Sequence, residues 1–182
     1  MNIHNKFIVM EGIMGSGKTT LAKMLSEEIG GVYYNTPESF HNMRPFADNS
    51  LSLEARYYFY LSLNMQVSFE VAQLLKKGPV VCDKYIWSTF CYHKTFGLDI
   101  SEFPQIDIIS PDFCFLIFCD DNIRLERLSR RDPVNDYSKD FKRQESERMC
   151  LLEFKKVLSD SLIDNSSDNP QVALSKILST VN

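Results

Sequence analysis

An apolar strand-like run, a glycine-rich loop and the start of a helix follow one another near the beginning of the sequence, and this order constrains the fold most strongly. The run Phe7-Ile-Val-Met10 precedes Gly12-Ile-Met-Gly-Ser-Gly-Lys-Thr19, which matches the pattern G-x-x-x-x-G-K-[ST], and a helical pattern begins at Lys18. The glycines let successive backbone N–H groups turn toward one anion, and a helix N-terminus adds partial positive charge. The segment is therefore predicted to be a phosphate-binding P-loop.

The residues of this loop carry different parts of the expected site. Lys18 supplies a full positive charge for the β- and γ-phosphates of a nucleoside triphosphate, and the hydroxyl of Thr19 is suited to bind Mg²⁺. The Asn-Lys-x-Asp motif with which GTPases read guanine is absent from the sequence, so we expect ATP together with Mg²⁺. The predicted ATP-binding residues are Gly12, Met14, Gly15, Ser16, Gly17, Lys18, Thr19 and Thr20. The alternative is a glycine turn without a ligand, which the flanking strand and helix disfavour.

Short apolar runs alternate with longer amphipathic segments through the 182 residues, which is the pattern of a parallel sheet with helical crossovers. We therefore expect a single domain over residues 1–182, with glycine or proline at several joints. The predicted strands are Phe7–Met10, Val32–Tyr34, Val80–Cys82, Phe113–Cys119 and Leu162–Ile163. The predicted helices are Lys18–Ile29, Leu51–Lys77, Tyr85–Phe96, Ile123–Arg131, Asp140–Ser159 and Gln171–Ser179.

Composition and charge disfavour several classes of partner. A formal net charge of −4 gives no general attraction to nucleic acid or to an anionic membrane, so we expect neither as a partner. The five cysteines are scattered, lie mostly in apolar runs and include no pair with zinc-ligand spacing, which favours reduced thiols in the cytoplasm. No signal-peptide pattern and no run of about 18 apolar residues is visible. A small molecule held by local geometry is the expected ligand.

An acid ends the third predicted strand. Ligands of an open parallel sheet gather beyond the carboxyl ends of its strands, so we expect Asp83 beside the P-loop. There its carboxylate would help to hold Mg²⁺ or orient the attacking hydroxyl. The alternative is that Asp83 caps the helix that follows, because aspartate is a favoured N-cap residue.

Arginines recur on the fourth predicted helix. Arg124, Arg127 and Arg131 have the spacing of one helix face, next to the polar stretch Asp132–Lys139. A lid over residues 127–140 would bring Arg127 and Arg131 to the transferred phosphoryl group, whose negative charge guanidinium groups stabilise. The alternative is an ordinary solvated face.

The long helix predicted over Leu51–Lys77 contains no glycine or proline and stops at Gly78-Pro79. Asn64 is the one amide in its inward stripe, and it is either a core residue bonded to a neighbouring loop or a substrate contact. Aromatic residues here and after the third strand suit stacking against a base, although aromatics at helical spacing are more often core. They are Tyr57, Tyr60, Tyr85, Trp87 and Tyr92.

These features, in this order, resemble the thymidylate kinase and deoxynucleoside kinase group of P-loop kinases. The resemblance covers nearly the whole chain, and the segments that carry it are Glu11-Gly12, Asp83-Lys84-Tyr85 where thymidylate kinases have Asp-Arg-Tyr, Pro111-Asp112, Leu125-Glu-Arg-Leu128 and Leu162–Val172. It implies an α/β fold of the P-loop NTPase type in three layers, with a five-stranded parallel sheet in the order 2-3-1-4-5 and helices on both faces. It also implies ATP and Mg²⁺, and a homodimer formed through Leu51–Lys77 and Tyr85–Phe96.

The departures from this group all lie on the side of the phosphoryl acceptor. Asn35 stands nearest to an arginine that grips the acceptor phosphate in thymidylate kinases, Asn64 aligns with an arginine offered to thymine, and Lys84 replaces an arginine while keeping its charge. We therefore expect altered acceptor specificity, with Lys84, Arg44 and Arg56 as replacement cations. The predicted acceptor contacts are Glu38, Arg56, Tyr60, Asn64, Tyr85 and Tyr92.

The sequence thus favours ATP-dependent phosphoryl transfer to a nucleoside monophosphate. The alternative enzyme is a deoxynucleoside kinase, in which Glu38 accepts the proton of the sugar hydroxyl. A second class of alternative is a nucleotide-binding regulatory protein or a catalytically silent relative of the kinases. This alternative remains because arginines expected on the acceptor side are missing.

Overall fold

A parallel sheet of five strands lies at the centre of the structure, a computed structural model that describes residues 5–36, 40, 42–134, 137 and 139–181. The order is β2-β3-β1-β4-β5 with every neighbouring pair parallel, which confirms the predicted topology. Met10 lies opposite Asp83 in the register, so the first and third strands end at the same edge. The strands are β1 (Phe7–Glu11), β2 (Val32–Asn35), β3 (Val80–Asp83), β4 (Phe113–Phe118) and β5 (Leu162–Asp164).

Seven helices are present among the described residues. They are α1 (Lys18–Glu28), α2 (Arg44–Ser50), α3 (Leu53–Leu74), α4 (Ile86–Thr95), α5 (Asp121–Arg131), α6 (Phe141–Val157) and α7 (Pro170–Val181). The six predicted helices are confirmed, with shifts of a few residues at their ends. α2 is not among them, because a segment of seven residues is too short to show a clear helical period.

Alternate side chains of β1 point to opposite faces of the sheet and pack into separate hydrophobic layers. On one face, Ile8 and Met10 pack with α1 and α7. On the other face, Phe7 and Val9 pack with α3 and the start of α4, and a further cluster that includes Phe154 joins α4 to α6. All five residues of β1 are buried, because helices cover both faces of the sheet. The predicted three-layer α/β fold is thus confirmed.

The long helix α3 starts two residues later than predicted because a side chain caps it. The hydroxyl of Ser52 accepts a hydrogen bond from the backbone N–H of Ala55 at 3.2 Å, which satisfies a free donor of the first turn. None of the helices in the described ranges combines the length and the apolar composition needed to cross a membrane.

Candidate active site

Three glycines give the loop after β1 a shape that side chains would prevent. Gly12, Gly15 and Gly17 have positive φ angles of 137°, 84° and 94°. A Cβ atom on Gly12 would lie 2.2 Å from the carbonyl oxygen of Ile117, and one on Gly17 would lie 2.2 Å from the side-chain nitrogen of Asn165. The loop therefore packs directly against β4 and the residue after β5. α1 begins at the next residue, so the positive end of its dipole lies at the loop.

Lys18 is buried at the start of α1. Its Nζ donates a hydrogen bond to the carbonyl oxygen of Ile13 at 2.7 Å. Burial lowers the pKa of Lys18 to about 8, and the positive charge of Lys84 contributes in the same direction, while Asp83 and Glu11 oppose the shift. Nearby phosphate oxygens would favour the charged ammonium group, as a phosphate-neutralising role requires.

Thr19 and Asp83 meet at the edge where β3 ends. The hydroxyl of Thr19 donates a hydrogen bond to the carboxylate of Asp83, and the hydroxyl of Tyr33 donates to the same oxygen at 3.4 Å. Asp83 therefore lies beside the P-loop, where the sheet topology predicts it. The helix-cap alternative for Asp83 is not supported, because Tyr85 is the N-cap residue of α4 and the backbone N–H groups of Tyr85 and Ser88 donate to Glu11.

The donor set of Thr19 and Asp83 fits a magnesium ion. Mg²⁺ takes oxygen ligands, and it usually keeps several waters while binding one or two protein groups together with substrate phosphates. Within the described ranges, no group of three or more His, Cys, Asp or Glu side chains is arranged to hold a metal. Thr19 and Asp83 would thus hold the ion together with the nucleotide phosphates.

Glu11 is the buried acid at the end of β1. Its carboxylate accepts hydrogen bonds from the backbone N–H of Tyr85 at 3.0 Å and from the backbone N–H and hydroxyl of Ser88. Burial raises the pKa of Glu11 to about 7, although these hydrogen bonds and the charge of Lys84 act in the opposite direction. Glu11 thereby attaches the start of α4 to the strand that carries the P-loop.

A cavity of about 510 Å³ opens along the P-loop, and we call it the P-loop cavity. Gly12 and Ser16 lie behind its wall, Gly12 against β4 and Ser16 without exposed surface. Asn165, Asp168 and Pro170 also line it and are not among the predicted site residues. The predicted residues that line it are Met14, Gly15, Gly17, Lys18, Thr19, Thr20, Asp83, Lys84, Arg127 and Arg131.

The arginines of α5 have separate positions. Arg127 donates to the carbonyl oxygens of Ser16 at 3.5 Å and Ser167 at 3.2 Å, and Arg131 lines the same cavity one turn later. Arg124 is buried instead, and a Cβ atom on Gly15 would lie 2.9 Å from its Cγ. Arg124 therefore packs against Gly15 and supports the P-loop from α5. Of the predicted lid, residues 135, 136 and 138 lie outside the described residues.

A second cavity of about 590 Å³ lies between α2, α3, α4 and α6. Glu38, the predicted proton acceptor, lies outside the described residues. Two of the aromatic candidates belong to the core instead: Tyr57 packs in the cluster around Phe7, and Trp87 lies 3.9 Å from Phe103 between ring centroids. The predicted acceptor contacts that line this second cavity are Arg56, Tyr60, Asn64, Tyr85 and Tyr92.

Asn64 is held by hydrogen bonds inside the protein and also lines the second cavity. Its side-chain nitrogen donates to the backbone oxygen of Tyr60 at 2.8 Å and to the hydroxyl of Thr89 at 2.7 Å. The buried amide is therefore held by α3 and α4, as a core residue should be. It also lines the second cavity, and since both hydrogens of its nitrogen are engaged, its side-chain oxygen is the polar atom left as an acceptor, while contact with a substrate stays a prediction.

Charged side chains of both signs line the second cavity. Arg44 donates to Thr36 at 3.2 Å, and its Nε and that of Arg56 are buried without a hydrogen-bond partner in the described chain. Glu147 of α6 accepts from the hydroxyl of Tyr92 at 3.0 Å and from the backbone N–H of Met14 at 3.2 Å.

Three further residues that line this cavity are not predicted from the sequence: His93, Arg143 and Glu147. Arg143 and Glu147 are spaced four residues apart on α6, which reads as an ordinary surface pair. His93 of α4 is likewise a cavity residue, although an isolated histidine gives no signal in the sequence.

The two cavities share part of their walls. Met14 of the P-loop, Arg44 of α2 and Lys84 after β3 line both. Lys84 has a positive φ angle of 75°, which turns the chain between β3 and α4. A group that moves from one cavity to the other would pass these residues.

A sheet of this order, with a P-loop after its first strand and a second cavity joined to the first, is the architecture of a P-loop kinase. Residues 10–174 match the family model described as Thymidylate kinase, and the chain therefore belongs to this family of phosphotransferases.

Individual relatives agree with the family. The chain is 31% identical over 134 residues to a probable thymidylate kinase of Methanococcus aeolicus, and the matched stretch covers 70% of this chain and 68% of that relative. Thymidylate kinase of Candida albicans has a similar structure, with a TM-score of 0.71 at 19% identity over 97% of this chain and 90% of the other. Deoxyadenosine kinase of M. mycoides gives a TM-score of 0.68 at 14% identity, over 97% and 98% of the two chains.

Proposed function

We propose that the protein transfers the γ-phosphoryl group of ATP to a nucleoside monophosphate, with ATP in the P-loop cavity and the acceptor in the second cavity. The observation that carries this proposal is the common wall of Met14, Arg44 and Lys84. In-line transfer needs the attacking oxygen and the transferred phosphorus to meet at one place, and this wall is where the two cavities adjoin.

The donor side supplies charge and position. Lys18 would meet the β- and γ-phosphates, and the P-loop N–H groups and the α1 dipole would bind the phosphate oxygens. Mg²⁺ bound to the phosphates, Thr19 and Asp83 would supply neutralising charge for the transferred group. Arg127 and Arg131 line the side of the cavity formed by α5, where guanidinium groups can stabilise charge on the equatorial oxygens.

The cations of the second cavity favour an acceptor that already carries a phosphate. A monophosphate brings about two negative charges that cations or backbone donors must meet. Arg44 and Lys84 lie on the common wall, and the Nε of Arg44 is a buried donor without a partner in the described chain. Arg44 therefore takes the role for which Asn35 is unsuited, since Asn35 carries no charge.

The far end of the second cavity would hold the base. Tyr60 and Asn64 of α3 and His93 of α4 line it, and Nδ1 of His93 lies 2.7 Å from the carbonyl oxygen of Thr89. A carbonyl only accepts, so Nδ1 carries the hydrogen and Nε2 of a neutral His93 is an acceptor, which is buried without a hydrogen-bond partner among the described residues. Burial lowers the pKa of His93, which favours this neutral form. Asn64 and His93 thus offer hydrogen-bond acceptors, whereas the resemblance to thymidylate kinases implies an arginine, which only donates. This difference supports altered base specificity.

The proposed assembly is a homodimer in the cytoplasm. Tyr58, Met65 and Phe69 project from α3 with 69%, 49% and 63% of their surfaces exposed. Their spacing of seven and four residues makes one apolar stripe, which a second copy of the chain would cover. All five cysteines are free, as a reducing cytoplasm would keep them.

The test is ADP release with ATP and Mg²⁺ against a panel of nucleosides and nucleoside monophosphates. We expect turnover with a monophosphate, and we expect Arg44→Ala to lower kcat/KM for it by roughly a hundredfold, because a charged hydrogen bond to the acceptor phosphate is lost. Arg130→Ala is the matched control, since Arg130 is exposed and paired with Glu126 on α5.

Two other outcomes would replace the proposal. Turnover of nucleosides without any turnover of monophosphates would favour the deoxynucleoside kinase alternative, and Glu38→Gln would then be the damaging change. ATP binding without turnover of either class would favour a regulatory or catalytically silent protein.

A further inference from the structure

Arg124 of α5 has the largest fully buried side chain among the described residues, with 1% of its surface exposed. Its stem packs against the P-loop, since a Cβ atom on Gly15 would lie 2.9 Å from its Cγ. The guanidinium group keeps its positive charge at physiological pH, because an arginine does not deprotonate in proteins. A permanent charge is thus buried directly behind the phosphate-binding loop.

The protein neutralises this charge only in part. Nε of Arg124 donates a hydrogen bond to one carboxylate oxygen of Asp121 at 3.0 Å, and Nε of Arg148 donates to the other oxygen at 2.8 Å. One carboxylate therefore serves two arginines. Asp121 and Arg148 have 36% and 55% of their side chains exposed, so water screens their charges more strongly than that of Arg124.

The guanidinium of Arg124 also has a donor to spare. Its Nη2 is buried and has no hydrogen-bond partner within the described ranges. Burying a charge is unfavourable unless the charge is paired, and this one shares its only printed ion-pair partner, Asp121, with Arg148. An anion bound at the P-loop would offset the unfavourable burial through its own negative charge.

The charge of Arg124 acts at the P-loop itself. Sγ of Cys119 lies 3.9 Å from the carbonyl oxygen of Gly15, so this thiol marks the surroundings of the loop. Burial raises the pKa of Cys119, whereas the positive charges of Arg127 and Arg124 lower it. Arg127 lines the P-loop cavity, but Arg124 does not. Any effect of Arg124 on a ligand is therefore exerted through the loop and not by contact.

We propose that Arg124 is a positioning residue whose buried charge strengthens the binding of nucleotide phosphates at the P-loop without touching them. Coulomb attraction acts over several ångströms where the dielectric constant is low, and the stem of Arg124 against Gly15 holds the charge at a fixed place behind the loop. The inference rests on the proposed function, since it takes the P-loop cavity as the site of the phosphates.

Calorimetric titration with ADP, combined with the melting temperature of the nucleotide-free protein, tests this inference. Arg124→Met keeps an unbranched stem against Gly15 and removes the charge. Asp121 still pairs with Arg148 in this variant, so no carboxylate is left unpaired and the melting temperature should hold or rise. ADP should nevertheless bind about tenfold more weakly. A purely structural role would instead lower stability and affinity together.

Two further variants separate charge from packing. Arg124→Lys keeps a charge on a similar stem, so its affinity for ADP should be within about threefold of the wild-type value. Arg148→Met is the matched control, because it removes the other arginine from the same carboxylate on the exposed side. Its affinity for ADP should change by less than about twofold.

Several results would overturn the inference. Unchanged ADP affinity in Arg124→Met would mean that the buried charge has no part in binding, and equal losses in Arg124→Met and Arg124→Lys would have the same meaning. A lower melting temperature of Arg124→Met together with weaker binding, up to loss of the fold, would make Arg124 a structural residue alone. If the wild type did not bind ADP, the proposed donor site itself would be wrong.

Discussion

The carboxylate of Glu11, at the end of β1, accepts hydrogen bonds from both the backbone N–H and the hydroxyl of Ser88, in the first turn of α4. It also accepts the N–H of Tyr85, the N-cap residue of that helix, whose own side chain does not cap it. A side chain distant in sequence thus satisfies donors that a local cap usually takes. The P-loop strand and a helix of the second cavity are coupled by one buried acid.

Glu11→Gln should change how stability depends on pH. Burial raises the pKa of Glu11 to about 7 in the folded protein, above its value of 4.5 in the unfolded chain. Between these two values, the folded protein keeps a proton on Glu11 that the unfolded chain releases. The stabilisation that comes from this proton is therefore full below pH 4.5 and is lost as the pH rises through about 7.

Glutamine keeps an acceptor for the backbone N–H groups and does not titrate. As the pH rises over this range, the free energy of unfolding of the wild type should fall by about 3 kcal/mol relative to that of Glu11→Gln. Urea unfolding at a series of pH values measures the difference. Parallel curves for the two proteins would mean that the pKa of Glu11 is not shifted.

Lys18→Ala should remove nearly all phosphoryl transfer, lowering kcat by about a thousandfold. The reason is that Lys18 is the one lysine within the P-loop sequence, and a methyl group cannot neutralise phosphate charge. Steady-state kinetics measure the loss, and Lys76→Ala, an exposed lysine that contacts Gln73, is the control. Turnover at the wild-type rate in a folded Lys18→Ala protein would contradict the P-loop assignment.

Asp83→Asn should lower kcat by about a hundredfold while ATP still binds. The amide still accepts the hydroxyl hydrogen of Thr19, so the fold is kept, but the negative charge that favours Mg²⁺ is gone. Kinetics over a range of Mg²⁺ concentrations measure the effect, with Asp160→Asn, in the exposed turn before β5, as the control. An unchanged kcat would reduce Asp83 to a structural role.

Arg127→Ala and Arg131→Ala should differ in their effects. Arg131→Ala should lower kcat by about tenfold or more and change ATP affinity little, because a lid arginine acts mainly on the transferred group. Arg127 also holds the carbonyls of Ser16 and Ser167, so its loss should weaken ATP binding as well. Nucleotide titration combined with kinetics separates the two effects, with Arg130→Ala as the control. Unchanged kinetics in both variants would identify an ordinary solvated face.

Phe69→Glu should convert the proposed dimer into a monomer. Phe69 lies at the C-terminal end of the exposed apolar stripe of α3, and a buried carboxylate in a dimer interface would be strongly unfavourable. Light scattering after size-exclusion chromatography measures the mass. Phe141→Glu is the matched control, since Phe141 is 77% exposed on α6, away from the stripe. A monomeric wild type, or a dimeric Phe69→Glu variant, would contradict this interface.

Local patterns predict much of the donor side, because its signals are continuous in sequence. The glycine spacing with Lys18 and Thr19 identifies the loop, and the buried run before it identifies the strand. The carboxyl-end rule for parallel strands then brings Asp83 to the same edge, where the structure has it hydrogen-bonded to Thr19. α2 is missed because seven residues show no period, and the burial of Arg124 is not predicted because spacing alone does not reveal what a helix packs against.

The sequence by itself determined the P-loop and the alternation of strands and helices, since periodicity and motif spacing are properties of neighbouring residues, and the sheet order followed from the family that these motifs resemble. Only the tertiary structure decided which distant side chains share a wall. Glu11 reaches Ser88 across 77 positions, Asn165 reaches Ser16 across 149, and Glu147 reaches Met14 across 133. The physical reason is that such contacts arise from the packing of whole elements, and the chain carries no local signal of which buried donor or acceptor will complete a particular amide or carboxylate.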